Sequence, residues 1–247
     1  MSATVYFVNK AGSTVEVGPS PFNATRNALA GGASIDFVGA SGQLDFDDKG
    51  EADADVDPKE YANSPYVKRV LAHPAVLRLD DGRVVWSMWL TERHSPEWWR
   101  QVMDECEKNG HPIALLPQFN SLPRLKMFAP ISYAMANWGP RTPGPYDWVE
   151  TVHKLGVKCV MPIAEQDVRT RGCGLWEAKN TQLLRGLWTR AIDDGADWAF
   201  IYTWNDFSEQ AMQPSTCIGF VPYDLNAYYT QWFKTGKQPT ISKDVLY

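Results

Sequence analysis

Two carboxylates three positions apart close an apolar segment of the chain, and residues of this type at this spacing could perform acid–base chemistry. Asp206 and Glu209 follow the apolar and aromatic segment 198–204, and Trp204 and Asn205 directly precede them. Paired carboxyl groups can serve as acid and base on a glycosidic bond, while an indole can lie against a sugar face. A simpler interpretation is that Asp206 caps a following helix and Glu209 completes a capping box. The local spacing leaves both interpretations open.

The segment 198–204 must position these carboxylates. A continuous apolar run of this length after the turn-like Asp193-Asp194-Gly195 predicts a buried parallel strand. In folds built on parallel strands, ligands bind just beyond the carboxyl ends of the strands. The sequence therefore predicts that the acid pair lies where such a fold binds ligands.

Composition restricts the class of partner. The chain has 247 residues, 44% of them hydrophobic, which is enough for one large domain or a domain with an appendage. A net charge of −5 argues against nucleic acid or an anionic membrane as a partner. No apolar run reaches about 18 residues, so no membrane span is predicted. The N-terminus lacks the basic and apolar regions of a secretory signal.

Cysteine and histidine give no metal-site pattern. The four Cys include no Cys-x-x-Cys pair, and the four His are dispersed, so neither a metal nor another cofactor is expected. Cys159 lies in an apolar run, which predicts a buried free thiol. Cys173 and Cys217 are predicted in loops, and their spacing leaves a disulfide between them open.

The N-terminal part has a different character from the rest. Short strands are predicted at 4–9, 13–17, 33–38 and 44–46 and a helix at 23–30, and the acidic, Ala-rich stretch 51–60 is typical of a linker. We therefore divide the chain into a β-rich N-terminal segment with its linker, residues 1–60, and a second region, residues 61–247.

The second region alternates strands with helices. A helix is predicted to begin at Ser95-Pro96, because Ser is a good cap and Pro suits the first helical position. The predicted strands are 83–90, 113–119, 131–136, 157–164 and the segment from 198, and the predicted helices are 96–108, 146–155, 181–193 and 223–236.

Five such β/α units predict an α/β fold of the (β/α)8 TIM-barrel type that is incomplete. A doubly wound open sheet is the alternative, but it would normally carry a Gly-rich phosphate loop after an early strand, and none is found. Gly39-Ala40-Ser41-Gly42 is not such a loop because a strand follows it.

Two resemblances to known families add to this interpretation. Ala28 to Gly32, Ile35 to Gly42 and Leu44 to Gly50 resemble the C-terminal part of type I periplasmic binding proteins, over about residues 25–50. Residues 66–241 resemble glycoside hydrolase family 71, the α-1,3-glucanases or mutanases. The motifs that carry this second resemblance are Thr203 to Glu209 with Pro214-Ser215, Tyr223 to Tyr229 with Trp232 to Lys237, His73-Pro74-Ala75 with Gly82, and Leu116 to Phe119.

The family 71 resemblance implies a (β/α)8 barrel that hydrolyses an α-1,3-linked glucan polysaccharide by a two-carboxylate, inverting mechanism. Asp206 and Glu209 match the family's acids, and we assign them as base and acid respectively. Related barrels with a mannosidase-type site carry a similar element, so the reaction class is better specified than the substrate. Family members are often secreted. The family barrel needs eight strands, whereas five are predicted here. Three explanations stay open: a fragment joined to an unrelated segment, first strands that have diverged beyond recognition, or a partner chain that completes the barrel.

Other strand-end residues are candidates for substrate binding by position. They are Trp89, Gln118, Asn137, Trp138, Glu165 and Trp176, together with Trp204 and Asn205. For Glu165 the alternative is a salt bridge with Arg169 or Arg171. Four other tryptophans, Trp98, Trp99, Trp188 and Trp232, are predicted to pack in the core.

Two functions compete with hydrolysis. The chain could bind carbohydrate without turnover, keeping the aromatic strand ends on an incomplete barrel. A solute-binding module is a weaker alternative, because it is motivated only by residues 28–50.

Overall fold

The computed structural model describes residues 5–7, 33–35, 56–89, 91–119, 123–137, 147–168, 175–202 and 219–241. Contacts within the chain divide it into two compact units, Met1–Ala134 and Met135–Tyr247. The strands predicted at 13–17 and 44–46 and the helix predicted at 23–30 lie outside the described residues.

The first unit opens with an antiparallel strand pair and continues with two β/α units. Short 3-10 turns at Thr91–Arg93 and Ala129–Ile131 follow the strand Val84–Trp89 and the helix Leu125–Phe128, respectively. Its elements are β1 (Val5–Phe7), β2 (Ala33–Ile35), α1 (Pro58–Asn63), α2 (Pro65–Ala72), β3 (Val84–Trp89), α3 (Pro96–Lys108), β4 (Ile113–Phe119) and α4 (Leu125–Phe128).

Each of the first three helices begins with a side-chain cap followed by proline. The Asp57 carboxylate accepts hydrogen bonds from two backbone N–H groups of α1, and the Ser64 hydroxyl accepts one from α2. The Ser95 hydroxyl accepts the N–H of Trp98 at 3.2 Å, which confirms the predicted start of α3. Such caps satisfy backbone donors that the first helical turn cannot pair internally.

β3 and β4 form the core of the first unit. They pair in parallel, from Val84 opposite Ile113 to Trp89 opposite Gln118. All seven residues of β4 are buried, as the apolar run 113–119 predicts for a parallel strand covered on both faces.

The second unit repeats the strand-and-helix alternation and adds one small hairpin. Its elements are β5 (Ala134–Asn137, which begins at the boundary), α5 (Trp148–His153), β6 (Lys158–Ala164), β7 (Asp167–Val168), β8 (Leu175–Trp176), α6 (Gln182–Asp193), β9 (Trp198–Tyr202) and α7 (Val221–Thr235).

Two helices of the second unit are joined by a buried polar contact. The indole N–H of Trp188 on α6 donates to the side-chain oxygen of Asn226 on α7 at 2.7 Å, and its ring stacks on Tyr229. Trp188 is therefore a core residue, as predicted. Trp99 is also buried, whereas Trp98 and Trp232 are only half-buried and lie within aromatic clusters.

The fold is of the (β/α)8 TIM-barrel type and is incomplete, with five of its strands among the described residues. Strand order follows chain order, β3–β4 in the first unit and β5–β6–β9 in the second, and helices separate successive strands. β6 and β9 pair in parallel, from Val160 opposite Trp198 to Ala164 opposite Tyr202. The parallel order with intervening helices is what distinguishes this class from antiparallel sheets.

Two predicted elements differ from the structure. The strand predicted from Ile131 begins only at Ala134, because Pro130 lies within a 3-10 turn that ends at Ile131. The segment from Trp198 is a strand, but its first four residues are half-exposed rather than buried. Cys159 is a buried free thiol, as predicted. In the described ranges, no helix has both the length and the apolar character needed to cross a bilayer.

Candidate functional site

Polar side chains end three of the parallel strands. Gln118 is the penultimate residue of β4, Asn137 is the last of β5, and Glu165 directly follows β6. All three are buried, with 5%, 4% and 8% of their surface exposed. Burying polar groups costs free energy unless they are hydrogen-bonded, and the carboxyl ends of parallel strands are where ligands bind, so the strand ends of each unit are separate candidates for ligand binding.

In the first unit, Gln118 and Trp89 share one face of the strand pair. They are opposite each other in the register of β3 and β4, and Ser87 lies two positions before Trp89 on the same face. The Gln118 amide nitrogen donates to the Ser87 hydroxyl at 2.7 Å. Its side-chain oxygen is buried and has no hydrogen-bond partner in the described part of the chain. The Trp89 side chain is half-exposed.

The backbone at this end of β4 is fixed by a threonine. The Thr91 hydroxyl donates to the Met88 carbonyl at 2.6 Å and accepts the N–H of Gln118 at 3.3 Å. One side chain thus ties the turn after β3 to the end of β4. An immobilised amide oxygen beside an exposed indole can accept a hydroxyl hydrogen while the ring packs on an apolar sugar face.

In the second unit, Glu165 is a buried carboxyl group at the end of β6. Its Oε2 atom has no hydrogen-bond partner among the described residues. Burial raises the pKa of Glu165 to about 7. On the neighbouring β9, the Tyr202 hydroxyl donates to the Asn137 carbonyl at 3.1 Å, so the ends of β5 and β9 are tied together. A carboxyl group in such a setting can hold or release a proton near neutral pH.

Two short antiparallel strands of two residues each, β7 and β8, come after Glu165. Asp167 on β7 is opposite Trp176 on β8, and Asp167 is fully buried while Trp176 is half-buried. The sequence predicts Trp176 as a substrate-binding residue, and the hairpin places it in the segment that begins two residues after Glu165. Its role stays a prediction.

Five of the predicted site residues lie outside the described residues. They are Trp138, Trp204, Asn205, Asp206 and Glu209. Their roles, including the assignment of Asp206 and Glu209 as catalytic acids, stay predictions, as does the alternative salt bridge from Glu165 to Arg169 or Arg171, which are likewise outside.

Sequence reasoning missed the polar residues that support the site. Ser87 orients the Gln118 amide, and Thr91 and Tyr202 hold strand ends. Ser87 could have been found, because the period of two along β3 places it on the face of Trp89. The contacts of Thr91 and Tyr202 depend on neighbouring strands, so no local signal indicates them. Over the described ranges, no cluster of three or more His, Cys, Asp or Glu side chains could hold a metal ion.

Comparisons with known proteins bear on the fold. No protein-family model and no curated protein matches the chain. Among solved structures, it is similar to the GH99 endo-α-mannosidase from Bacteroides thetaiotaomicron, with 14% identity, a TM-score of 0.54, and coverage of 66% of this chain and 58% of that one. The same enzyme in complex with bis-tris-propane gives 14% identity, a TM-score of 0.59, and coverage of 73% and 67%.

This likeness supports a barrel fold like that of a glycoside hydrolase. At 14% identity it concerns the fold alone. The chain spans 58% of the first structure and 67% of the second, between about half and two thirds of their lengths. Family 71 itself is not matched.

Proposed function

We propose that the chain is a glycoside hydrolase that cleaves α-1,3-linked glucan with Asp206 and Glu209 as its two carboxylates. The observation that carries the proposal is the set of buried polar side chains at strand ends with unfilled hydrogen-bonding atoms, Gln118 in the first unit and Glu165 in the second. Leaving such an atom unpaired costs about 1–3 kcal/mol, so its retention favours a function that fills it. The barrel fold and the motif around Asp206 support the same reaction class.

The proposed mechanism is a single displacement with inversion. Asp206 takes a proton from the attacking water, whose oxygen bonds to the anomeric carbon as the glycosidic bond breaks. Glu209 gives its proton to the departing glycosidic oxygen. Inversion requires the two carboxyl groups to lie roughly 6.5–9.5 Å apart, to leave room for the water.

Carbohydrate binding without turnover is the second candidate. It is favoured by one observation, namely that five parallel strands, rather than eight, occur among the described residues. A partner chain would then be needed for a complete barrel. Both candidates use the same strand-end residues, so only a measurement of product separates them.

The test is release of reducing sugar from insoluble α-1,3-glucan by the purified chain. We expect Asp206→Asn and Glu209→Gln each to lower the rate by about 10²–10⁴-fold, the usual contribution of a general acid or base. Asp104→Asn and Glu107→Gln are matched controls, because both side chains are exposed on α3. An α-mannan substrate in parallel distinguishes a different sugar from a different reaction.

Two results would contradict the proposal. Unchanged hydrolysis in both variants would exclude these acids. Binding of glucan by a folded chain that releases no sugar from either polysaccharide would favour the carbohydrate-binding alternative.

A further inference from the structure

Glu165 is a buried carboxyl group at the end of a parallel strand. Its side chain is 8% exposed, it directly follows β6, and its Oε2 atom has no hydrogen-bond partner among the described residues. A buried carboxylate normally accepts several hydrogen bonds or pairs with a cation. The free-energy cost of burying the Glu165 carboxyl group must therefore be reduced in another way.

The polar groups described on neighbouring elements pair with groups other than Glu165 or are exposed. The hydrogen of the Tyr202 hydroxyl on β9 goes to the Asn137 carbonyl on β5, so it is not donated to Glu165. Among the described residues, the other titratable group at this end is the carboxyl of Asp167 on β7, which is buried and interacts with groups of its own. Helices α5 and α6 pack on β6, and their ionisable side chains pair elsewhere or are exposed: Glu150 with Lys154, His153 with Asp197, Arg190 with Asp194, and the exposed Arg185 and Asp193.

Because the described residues provide neither a cation nor a donor to Oε2 of Glu165, its neutral form is favoured. Among the described residues, burial is what raises the pKa of Glu165, to about 7. A protonated carboxyl group has one O–H donor and one accepting oxygen, whereas the ionised group only accepts. The neutral side chain therefore resembles glutamine, which also donates from one side of its terminal group and accepts at the other.

We propose that Glu165 binds a hydroxyl group of the substrate as a neutral carboxylic acid, donating through one oxygen and accepting through the other. The inference deepens the proposed function and rests on it. Its ligand class is an uncharged sugar that offers a hydroxyl as both donor and acceptor, and not a cationic amino sugar, which would require the carboxylate. Binding by Glu165 is then strongest below neutral pH.

The test is isothermal titration of a linear α-1,3-glucose oligosaccharide into the full chain at pH 5.5 and pH 8.5. We expect affinity for the wild type to fall by roughly tenfold between these values, as a group with a pKa of about 7 loses its proton. Glu165→Gln, which keeps one donor and one acceptor, should bind within about threefold of the wild type at pH 5.5 and show no pH dependence.

Glu165→Leu removes both hydrogen bonds at similar volume. We expect it to weaken binding by roughly 5- to 100-fold at pH 5.5. Glu107→Gln, exposed on α3, is the matched control and should retain the pH dependence of the wild type. Circular dichroism checks the fold of each variant, and if Glu165→Leu does not fold, the comparison of Glu165→Gln with the wild type decides alone.

The outcomes separate this inference from the proposed function. Any of three results would overturn the inference. Glu165→Gln could bind weakly at pH 5.5, the affinity of the wild type could stay unchanged with pH, or the folded wild type could fail to bind the oligosaccharide. The expected binding pattern without sugar release from α-1,3-glucan would overturn the proposed function and leave the inference standing. Sugar release by a wild type whose oligosaccharide affinity is the same at pH 5.5 and pH 8.5 would support the proposed function and overturn the inference.

Discussion

Asp197 is a carboxylate whose two oxygens both contact other groups of the protein. It lies directly before β9, and its Oδ2 atom accepts the backbone N–H of Cys159 at 2.8 Å and contacts His153 Nε2 at 2.8 Å. Lys158 Nζ lies 3.8 Å from its other oxygen. These contacts tie the start of β9 to β6 and α5. Asp197 is therefore a structural residue, in contrast to Glu165.

Replacement of Asp197 should reduce stability. Asp197→Ala leaves the Cys159 N–H without its acceptor, so we expect the free energy of unfolding to fall by about 1–3 kcal/mol in a urea titration. Asp193→Ala, an exposed position on α6, is the matched control and should change it by less than about 0.5 kcal/mol. Equal effects of the two substitutions would contradict the structural role.

The same contacts give this contribution a pH dependence. Partial burial raises the pKa of Asp197, but the hydrogen bonds from Cys159 and His153 lower it more, so that it lies below its ordinary 3.8. A carboxyl group whose pKa is lower in the folded state adds stability above its unfolded value and loses it as pH falls through the folded one. The difference in stability between wild type and Asp197→Ala should therefore shrink below about pH 4.

At the scale of elements, two glycines on different helices differ in backbone conformation. Gly236 ends α7 in the left-handed conformation, with φ of +66°, whereas Gly186 lies inside α6. Apart from chain neighbours and the helix's own backbone, no atom of the described residues lies within 4 Å of a Cβ added at either position, so contacts with surrounding side chains do not distinguish them. Backbone conformation is then what decides the effect of a side chain.

The same substitution should have opposite signs at these positions. Gly236→Ala is expected to destabilise by about 1 kcal/mol, because alanine is strained in the left-handed region. Gly186→Ala is expected to stabilise by about 0.5–1 kcal/mol, because alanine favours the helix and restricts the unfolded chain. Urea unfolding of the two variants checks both, and a loss of stability at Gly186 would mean that α6 is crowded there.

Elements with strong local signals were predictable from the sequence. The pair Ser95-Pro96 specified the start of α3, and the apolar run 113–119 specified β4. The pairs Asp57-Pro58 and Ser64-Pro65 carry the same signal and begin α1 and α2, where no helix is predicted, and α1 begins inside the predicted linker. The boundary between residues 60 and 61 stays a prediction.

Other features depend on contacts that no local pattern carries. The two-residue strands β7 and β8 are defined only by their pairing. The positions of Gln118, Asn137 and Glu165 at strand ends were predictable, because parallel strands expose their carboxyl ends to ligands. The unpaired atoms of Gln118 and Glu165 among the described residues were not predictable, since they depend on how Ser87 and Tyr202 are oriented.

At the scale of the whole molecule, the strands differ in how well they are covered. β4 is buried along its whole length, but Trp198, Ala199, Phe200 and Ile201 of β9 are half-exposed. Parallel strands are normally covered on both faces. Among the described strands, β9 pairs only with β6 and is last in the order of the sheet. An apolar strand of this kind is a site where another chain can pair.

We therefore expect the chain to associate through β9. In sedimentation velocity, its average mass should rise above the monomer value between about 1 and 100 µM. Ala199→Lys should keep it monomeric, because a lysine on an edge strand opposes pairing with another chain. Ala227→Lys, the same change at an exposed position of α7, is the matched control and should associate like the wild type. A wild type that stays monomeric at 100 µM would contradict association through β9. It would mean that the described strands are stable without pairing to a second chain.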